Sequence, residues 1–276
     1  MKYTTECIVT DELILSYRHY QGRGDETLVL FHGFGQTNIL FESFIPSVLH
    51  HYSVIAIDLF FHGESIVKKS EKDHISDDCW NELFNQLLEK HQVNRFSLLS
   101  YSMGSRFVVT LLKTHAARIN KIVLIAPDGF GNNVWFNVAT STAAARFVFQ
   151  YSMQHPLWIQ LMLRALGSVG IFNSITKRFI ERNLESDELR KKIYASWVYF
   201  RSLAIRKEDF VEWVNKNEIR FICFCGKDDQ LVARKTMQLL CTQTGAPYVE
   251  LDLAHHKMVQ ALEKRELLDF LISDWK

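Results

Sequence analysis

Short apolar runs recur along the chain and are separated by segments with helical periodicity. Cys7–Thr10 and Leu13–His19 resemble two strands joined by a short turn at Asp11-Glu12, which predicts an antiparallel start. Thr27–Phe31 and Ser53–Ile57 are continuously apolar. Runs of that kind are typical of strands that are buried on both faces of a parallel sheet.

Helical patterns follow most of these runs. Further strands are predicted at Arg95–Leu99, Lys121–Ile125, Arg220–Phe224 and Tyr248–Leu251, and helices at Ile39–Leu49, Ile75–His91, Met103–His115, Leu231–Thr242 and His256–Ile272. Strands that alternate with helices form parallel sheets with right-handed crossovers. The pattern therefore predicts the α/β class, with a mostly parallel central sheet flanked by helices.

Residues 128–207 interrupt this alternation, because they contain helical patterns and no clear strand. They are rich in large aromatic residues: Trp135, Phe136, Phe147, Phe149, Trp158, Phe172, Phe179, Trp197 and Phe200. The sequence therefore predicts a core formed by residues 1–127 and 208–276, with a helical insertion at 128–207. Most of the aromatic residues are expected to form the insertion's own core, and a few are expected to face a substrate.

Composition excludes several classes of function. The 276 residues carry a net charge of +1, so nothing indicates a nucleic-acid partner. No run of 18 apolar residues and no signal-peptide core occur, so we expect no membrane span and a cytoplasmic location. Five cysteines argue against a disulfide framework, and Cys223 and Cys225 fit buried thiols better than a metal site.

Chemically suggestive residues come directly after the predicted strands. These segments are His32-Gly33-Phe34-Gly35, Asp58 to Ser65, Ser102, Gly226-Lys227-Asp228-Asp229 and His255-His256. In open α/β sheets, ligands bind at the carboxyl ends of the strands. We therefore expect these residues to converge at one edge of the sheet.

Ser102 lies in a strand, tight turn and helix context, within Ser100-Tyr101-Ser102-Met103-Gly104. A sharp turn of this kind can hold a serine out of its sheet as a nucleophile, and it needs small residues on either side, here Ser100 and Gly104. The alternative is a serine that only caps the helix. Met103 would begin the helix, so its backbone N–H would point outward without a partner.

Taken together, these motifs resemble the α/β-hydrolase fold superfamily, in its lid-bearing esterase and lipase form. The order Ser102, Asp229, His256 is the order of that family's triad, and Gly226 to Asp229 is similar to its acid-bearing G-x-x-D. The resemblance implies that Ser102 is the nucleophile, His256 the base and Asp229 the acid. It also implies an oxyanion hole formed by the backbone N–H groups of Phe34 and Met103, and a lid at 128–207.

Each assignment has a rival nearby. His255 stands where the family usually has glycine, and the offset from Lys257-Met258-Val259 favours His256 over it. The G-x-x-D spacing favours Asp229 over Asp228. Asp128, in Ala126-Pro127-Asp128-Gly129, is a rarer acid position and could be only a turn residue. His62 and Gly63 fit a turn better than a catalytic role.

The resemblance implies a serine hydrolase that cleaves a carboxylic ester of a small-to-medium apolar substrate through an acyl-enzyme. Carbon–carbon bond hydrolysis and thioester hydrolysis use the same triad, and a ligand-binding protein without activity could share the fold. No H-E-x-x-H, cysteine–histidine cluster, G-x-G-x-x-G or P-loop occurs, so neither a metal nor an organic cofactor is expected. Ser102 also argues against a dehalogenase, which would carry aspartate there.

Overall fold

The computed structural model describes residues 2–68, 74–130, 134–155, 157–158, 161, 184, 186–229 and 231–273. The chain divides into two compact units. The larger comprises Met1–Glu71, Ile75–Asn132 and Leu203–Lys276, and the smaller comprises Lys72–His74 and Asn133–Ser202. The long segment of the smaller unit lies inside the insertion predicted at 128–207.

The larger unit contains a sheet in which nine strands are described. They are β1 (Thr4–Val9), β2 (Leu13–Tyr20), β3 (Glu26–Phe31), β4 (Tyr52–Ile57), β5 (Ile66–Val67), β6 (Phe96–Tyr101), β7 (Ile119–Ile125), β8 (Arg220–Gly226) and β9 (Tyr248–Leu251). The order is β1-β2-β4-β3-β6-β7-β8-β9, and β5 pairs with β2. The pairs that involve β2 are antiparallel and the others are parallel. The predicted mostly parallel sheet with an antiparallel start is confirmed.

Helices connect and flank the strands. They are α1 (Ile45–Val48), α2 (Asp77–Lys90), α3 (Gly104–His115), α4 (Val134–Thr140), α5 (Ala143–Gln154), α6 (Asp187–Tyr199), α7 (Lys207–Lys216), α8 (Arg234–Thr244) and α9 (Arg265–Ile272). Short 3₁₀ segments occur at Asn38–Phe41, Ala116–Arg118 and His255–Glu263. Over the described residues, every helix is too short or too polar to cross a lipid bilayer.

An aromatic cluster fixes α2 and α3 against the middle of the sheet. Phe31 of β3 is fully buried and lies against Trp80, Phe84 and Phe107. The indole N–H of Trp80 donates a hydrogen bond of 3.1 Å to the Phe107 carbonyl, so its polar atom is satisfied in the core. Burial of each such ring contributes about 1.5–3 kcal/mol. This cluster holds the start of α3 in place behind Ser102.

Two predicted helices differ from those observed. Residues 39–49 form the 3₁₀ turn Asn38–Phe41 and the separate helix α1, because Pro46 suits a first helical turn and lacks the N–H that a continuous helix would need. Residues 256–272 divide into a 3₁₀ segment and α9, since Lys264 has extended backbone angles. The two-residue strand β5 is not evident from the sequence.

The smaller unit is helical where it is described, and an aromatic core joins α5 and α6. Phe149 lies 5.5 Å from the ring centres of both Tyr194 and Trp197, and Phe136 of α4 lies 5.4 Å from Trp197. Phe200 is buried, whereas Phe147 and Trp158 are exposed. Phe172, Phe179 and the side chain of Trp135 lie outside the described residues.

Candidate active site

Ser102 occupies the sharp turn between β6 and α3. Its φ is 49°, a left-handed angle that is uncommon for a residue with a side chain. Its backbone N–H donates to the Ile125 carbonyl at 2.9 Å, and its own carbonyl accepts from the Ser105 N–H at 3.0 Å. These bonds hold a strained backbone in place, which is typical of functional sites.

The two small residues around Ser102 have identifiable reasons to be small. A Cβ added at Gly104 would lie 2.6 Å from the carbonyl oxygens of Phe31 and His32, so only glycine lets α3 approach the end of β3. Ser100 is fully buried, and its hydroxyl oxygen lies 2.9 Å from that of Ser105 in the first turn of α3. Ser100 therefore stands where the resembled family has glycine, and its hydroxyl is hydrogen-bonded.

A chain of hydrogen bonds joins Ser102, His255 and Asp229. Nε2 of His255 lies 2.9 Å from the Ser102 hydroxyl, and Nδ1 lies 2.7 Å from Oδ2 of Asp229. The Asp229 side chain is fully buried, and its Oδ1 accepts backbone N–H bonds from Leu231 and Val232 at 2.9 and 3.2 Å. Backbone donors thus keep this carboxylate aimed at the imidazole.

The histidine in this chain is His255 and not the predicted His256, whose side chain is exposed. Residues 255–263 form a 3₁₀ segment, in which side chains three apart share a face. Met258 and Ala261 are fully buried. His255, three residues before Met258, therefore points inward, and His256 points to solvent. The buried apolar residues at 258 and 261 are the sequence signal for His255.

The turn that carries Asp229 is closed by Gly226. A Cβ at Gly226 would lie 2.3 Å from the Leu253 carbonyl oxygen and 3.1 Å from Cβ of Asp229. The Asp229 N–H donates to the Gly226 carbonyl at 3.1 Å. Asp228 is exposed, so the G-x-x-D spacing selects the carboxylate that reaches the histidine.

The segment predicted to supply an oxyanion donor forms a turn after β3. Gln36 closes it, donating its N–H to the Gly33 carbonyl and accepting the Gly33 N–H with its side chain. A Cβ at Gly33 would lie 2.8 Å from the Tyr101 ring, so the turn lies close to the residue that precedes Ser102. Among the described residues, the backbone N–H groups of Phe34 and Met103 have no hydrogen-bond acceptor.

Tyr101, the last residue of β6, contacts His255. Its hydroxyl donates a 2.8 Å hydrogen bond to the His255 backbone carbonyl, and its ring stacks on the imidazole with centres 6.0 Å apart. Burial, with a smaller contribution from the Asp229 charge, raises the pKa of Tyr101 above its ordinary value. The sequence reasoning missed this residue.

Asp128 pairs with Arg106 and not with the histidine. The guanidinium of Arg106 binds both carboxylate oxygens, at 2.7 and 3.0 Å. Arg106 also donates to the Leu203 carbonyl at 3.4 Å, and the Ile205 N–H donates to the Gly129 carbonyl at 3.2 Å. These bonds join the segment that leaves β7 to the segment that leads into α7.

The Asp58 turn has a structural role. Its carboxylate accepts the N–H groups of Asn38 and Glu64 at 2.7 and 3.1 Å, and a Cβ at Gly63 would clash with it. Nδ1 of His62 lies 2.9 Å from the Phe60 carbonyl oxygen. This segment holds the ends of β3 and β4 together rather than presenting a reactive group.

Comparison with known proteins identifies the class that this fold and site define. The model of the alpha/beta hydrolase fold family matches residues 26–258. The chain therefore belongs to the alpha/beta hydrolase fold family. The match covers the Ser102, Asp229 and His255 positions.

Individual relatives are more distant. An uncharacterized hydrolase of Bacillus subtilis, YugF, is 31% identical over 120 residues, which are 44% of this chain and 43% of that protein. The chain thus spans less than half the length of the curated relatives that it matches. A probable hydrolytic enzyme from Pseudomonas aeruginosa has a TM-score of 0.70 at 16% identity, over 99% of this chain and 95% of that one. The carboxylesterase CesB from Bacillus subtilis has a TM-score of 0.61 at 15% identity, over 99% and 92%.

Proposed function

We propose that this protein is a serine hydrolase that cleaves a carboxylic ester of a small-to-medium apolar substrate through an acyl-enzyme. The observation that carries the proposal is the continuous hydrogen-bonded chain from the Ser102 hydroxyl through His255 to Asp229. A serine hydroxyl is a weak nucleophile unless a base lies within hydrogen-bond reach. Here the base is in reach and its second nitrogen is held by a buried carboxylate.

In the proposed reaction, the Ser102 hydroxyl oxygen attacks the ester carbonyl while Nε2 of His255 takes its proton. Asp229 accepts a hydrogen bond from Nδ1, which fixes the tautomer and stabilises the imidazolium. The imidazolium then protonates the leaving alcohol, and the acyl group remains on Ser102. A water molecule, deprotonated by His255, releases the acid and restores the serine.

The negative oxygen of each tetrahedral intermediate needs donors in place. The backbone N–H groups of Met103 and Phe34 are the proposed pair, supported by their positions after Ser102 and after β3 and by the absence of a competing acceptor among the described residues. Loss of one such donor costs about 3–4 kcal/mol of transition-state stabilisation. The proposal uses no metal or organic cofactor.

The helical insertion is proposed to act as a lid that selects the substrate. Its described residues include exposed apolar side chains such as Phe147 and Trp158, which favours contact with apolar groups. Thioesters and carbon–carbon bonds flanked by carbonyls would use the same triad. The carboxylesterase CesB shares the fold, but a shared fold does not determine the reaction. The ester assignment is therefore proposed without relying on that likeness.

The test is covalent labelling with a fluorophosphonate, followed by rates on p-nitrophenyl esters of graded acyl length, thioesters and a vinylogous diketone. We expect labelling at Ser102, and Ser102→Ala should lower kcat/KM at least about 10³-fold without loss of the fold. His255→Gln should cause a comparable loss. The matched variant His256→Gln should stay within about twofold of wild type, because its side chain is exposed.

Each outcome decides a different part of the proposal. No labelling of a folded protein would favour the binding-protein alternative. A large loss in His256→Gln with none in His255→Gln would overturn the assignment of the base. Faster turnover of the thioesters or the diketone than of every ester would keep the triad and replace the substrate class.

A further inference from the structure

A second cluster of ligand-type side chains lies away from the active site, where β1, β2 and the end of α2 meet. One donor atom from each of Glu6, His19 and His91 lies within 4.8 Å of the other two. Oε1 of Glu6 is 3.9 Å from Nδ1 of His19, and Oε2 is 3.8 Å from Nε2 of His91. The two imidazole rings lie 4.3 Å apart.

We propose that Glu6, His19 and His91 form a binding site for a divalent transition-metal ion, with Zn²⁺ as the best-suited probe. Two imidazole nitrogens and one carboxylate oxygen are a donor set that zinc uses in proteins. Tetrahedral zinc with bonds of about 2.0–2.2 Å keeps its ligand atoms about 3.4 Å apart. The 3.9 and 3.8 Å separations join the two nitrogens to different oxygens of Glu6, so binding of one ion needs side-chain rotations that bring both imidazoles to the same side of the carboxylate.

Two of the three residues of the cluster, His19 and His91, line a cavity of about 650 Å³ together with Lys90 and with polar residues that include Glu26 and Asn120. Glu26 and Asn120 lie at the beginnings of β3 and β7. The cavity is thus at the amino ends of the parallel strands, whereas Ser102 follows the carboxyl end of β6. The proposed metal site therefore lies near the amino ends of the parallel strands, and the proposed active site lies at their carboxyl ends.

Three neighbouring groups already bind the Glu6 carboxylate. Lys90 donates to Oε2 at 2.8 Å, Thr4 donates to Oε1 at 2.7 Å, and the Tyr17 hydroxyl lies 3.4 Å from Oε2. Each carboxylate oxygen has two lone-pair positions, so Oε1 keeps one for a metal ion. Lys90 is a competing cation, and its side chain is 40% exposed and can swing into solvent.

Tyr17 also determines how His91 would bind. Its hydroxyl lies 2.9 Å from Nε2 of His91, so that hydroxyl must turn towards Glu6 when the nitrogen takes a metal ion. The phenol would then form a hydrogen bond to the ligating carboxylate. Partners of this kind orient metal ligands and tune the ion.

The experiment titrates Zn²⁺ into the EDTA-treated 276-residue protein by calorimetry and follows Tm with and without the ion. We expect one ion per chain at this site and a Tm increase of several degrees, because an ion that binds only the folded state stabilises it. His19→Gln and His91→Gln should each weaken binding at least tenfold. His50→Gln, at an exposed histidine, and His255→Gln should leave the affinity unchanged.

The Lys90→Met variant is expected to strengthen Zn²⁺ binding rather than weaken it. It therefore tests the site even if the histidine variants are unstable. Loss of the competing cation should tighten Zn²⁺ binding severalfold. X-ray absorption of the wild-type complex should report two imidazoles and oxygen ligands. Equal affinity in the His19 and His91 variants, weaker binding in Lys90→Met, or sulfur ligation would each overturn the proposal. None of these readouts depends on hydrolysis, so they are separate from the proposed function.

Discussion

Tyr101 shows how a single side chain can set the position of another residue's backbone. Its hydroxyl holds the His255 carbonyl, and the high pKa of Tyr101 keeps that hydroxyl protonated. Residue 255 therefore enters its 3₁₀ segment with the carbonyl fixed and the imidazole stacked on the phenol ring. Tyr101 is a positioning residue in the proposed mechanism and does not itself touch the reacting atoms.

Tyr101→Phe should lower kcat by about 2–12-fold with little change in KM, because one hydrogen bond contributes about 0.5–1.5 kcal/mol and the ring is kept. The measurement is steady-state kinetics on the best ester, with the rate of fluorophosphonate labelling as a second readout. Tyr3→Phe, at an exposed position, is the control. An unchanged kcat and labelling rate would show that the hydroxyl does not position His255.

At the scale of elements, helix α3 carries polar residues at both ends. Arg106 in its first turn binds Asp128, and His115 at its last residue lies 2.8 Å from the Asn85 side-chain oxygen on α2. Burial, aided by the charge of Arg118, lowers the pKa of His115 to about 4. The neutral imidazole is therefore part of the α2–α3 contact.

This low pKa predicts a pH-dependent stability. Between about pH 6.5 and pH 4 the unfolded chain protonates His115 while the folded chain does not, so stability is complete above that window and falls as the pH falls through it. Urea unfolding at pH 7 and pH 5 should show about 1–2 kcal/mol more loss in wild type than in His115→Gln. Buried His32, whose pKa is also lowered, is present in both proteins, so its contribution to the loss of stability is the same in each and cancels in the difference. Equal losses would contradict the assignment.

Most elements could be predicted from the sequence, because buried parallel strands are continuous apolar runs such as Thr27–Phe31. Ser102 and Asp229 could be located because each is tied to a local turn with short-range spacing. The side of a 3₁₀ segment that faces inward is not set by local spacing in this way, and the structure places His255, rather than the predicted His256, within hydrogen-bond distance of Ser102. The Arg106–Asp128 pair and the Glu6, His19 and His91 cluster join residues far apart in sequence, so spacing could not reveal them.

At the scale of the whole molecule, the three residues of the proposed triad all come from the larger unit. The hydrogen bond between Ile205 and Gly129 brings together the chain segments on either side of Asn133–Ser202, the long segment of the smaller unit. A short linker could therefore replace the helical residues between them without breaking the sheet.

We predict that replacing residues 134–201 with a short Gly/Ser linker leaves a folded core that still reacts with a fluorophosphonate at Ser102. The relative rates on short and long acyl esters should change, because the proposed lid would be absent. Circular dichroism, urea unfolding and labelling check the first expectation, and the ester series checks the second. Unchanged acyl-length preference in the shortened protein would argue against the lid role.

The order of the proposed triad along the chain also bears on biosynthesis. Ser102 lies in the first half of the polypeptide, whereas Asp229 and His255 follow strands β8 and β9 near its end. Under the proposed mechanism, a growing chain therefore exposes an unactivated Ser102 hydroxyl until β8 and β9 have joined the sheet. Reaction of Ser102 with an activated phosphonate would accordingly time the final step of assembly, and a ribosome-bound chain halted before residue 255 should stay unreactive.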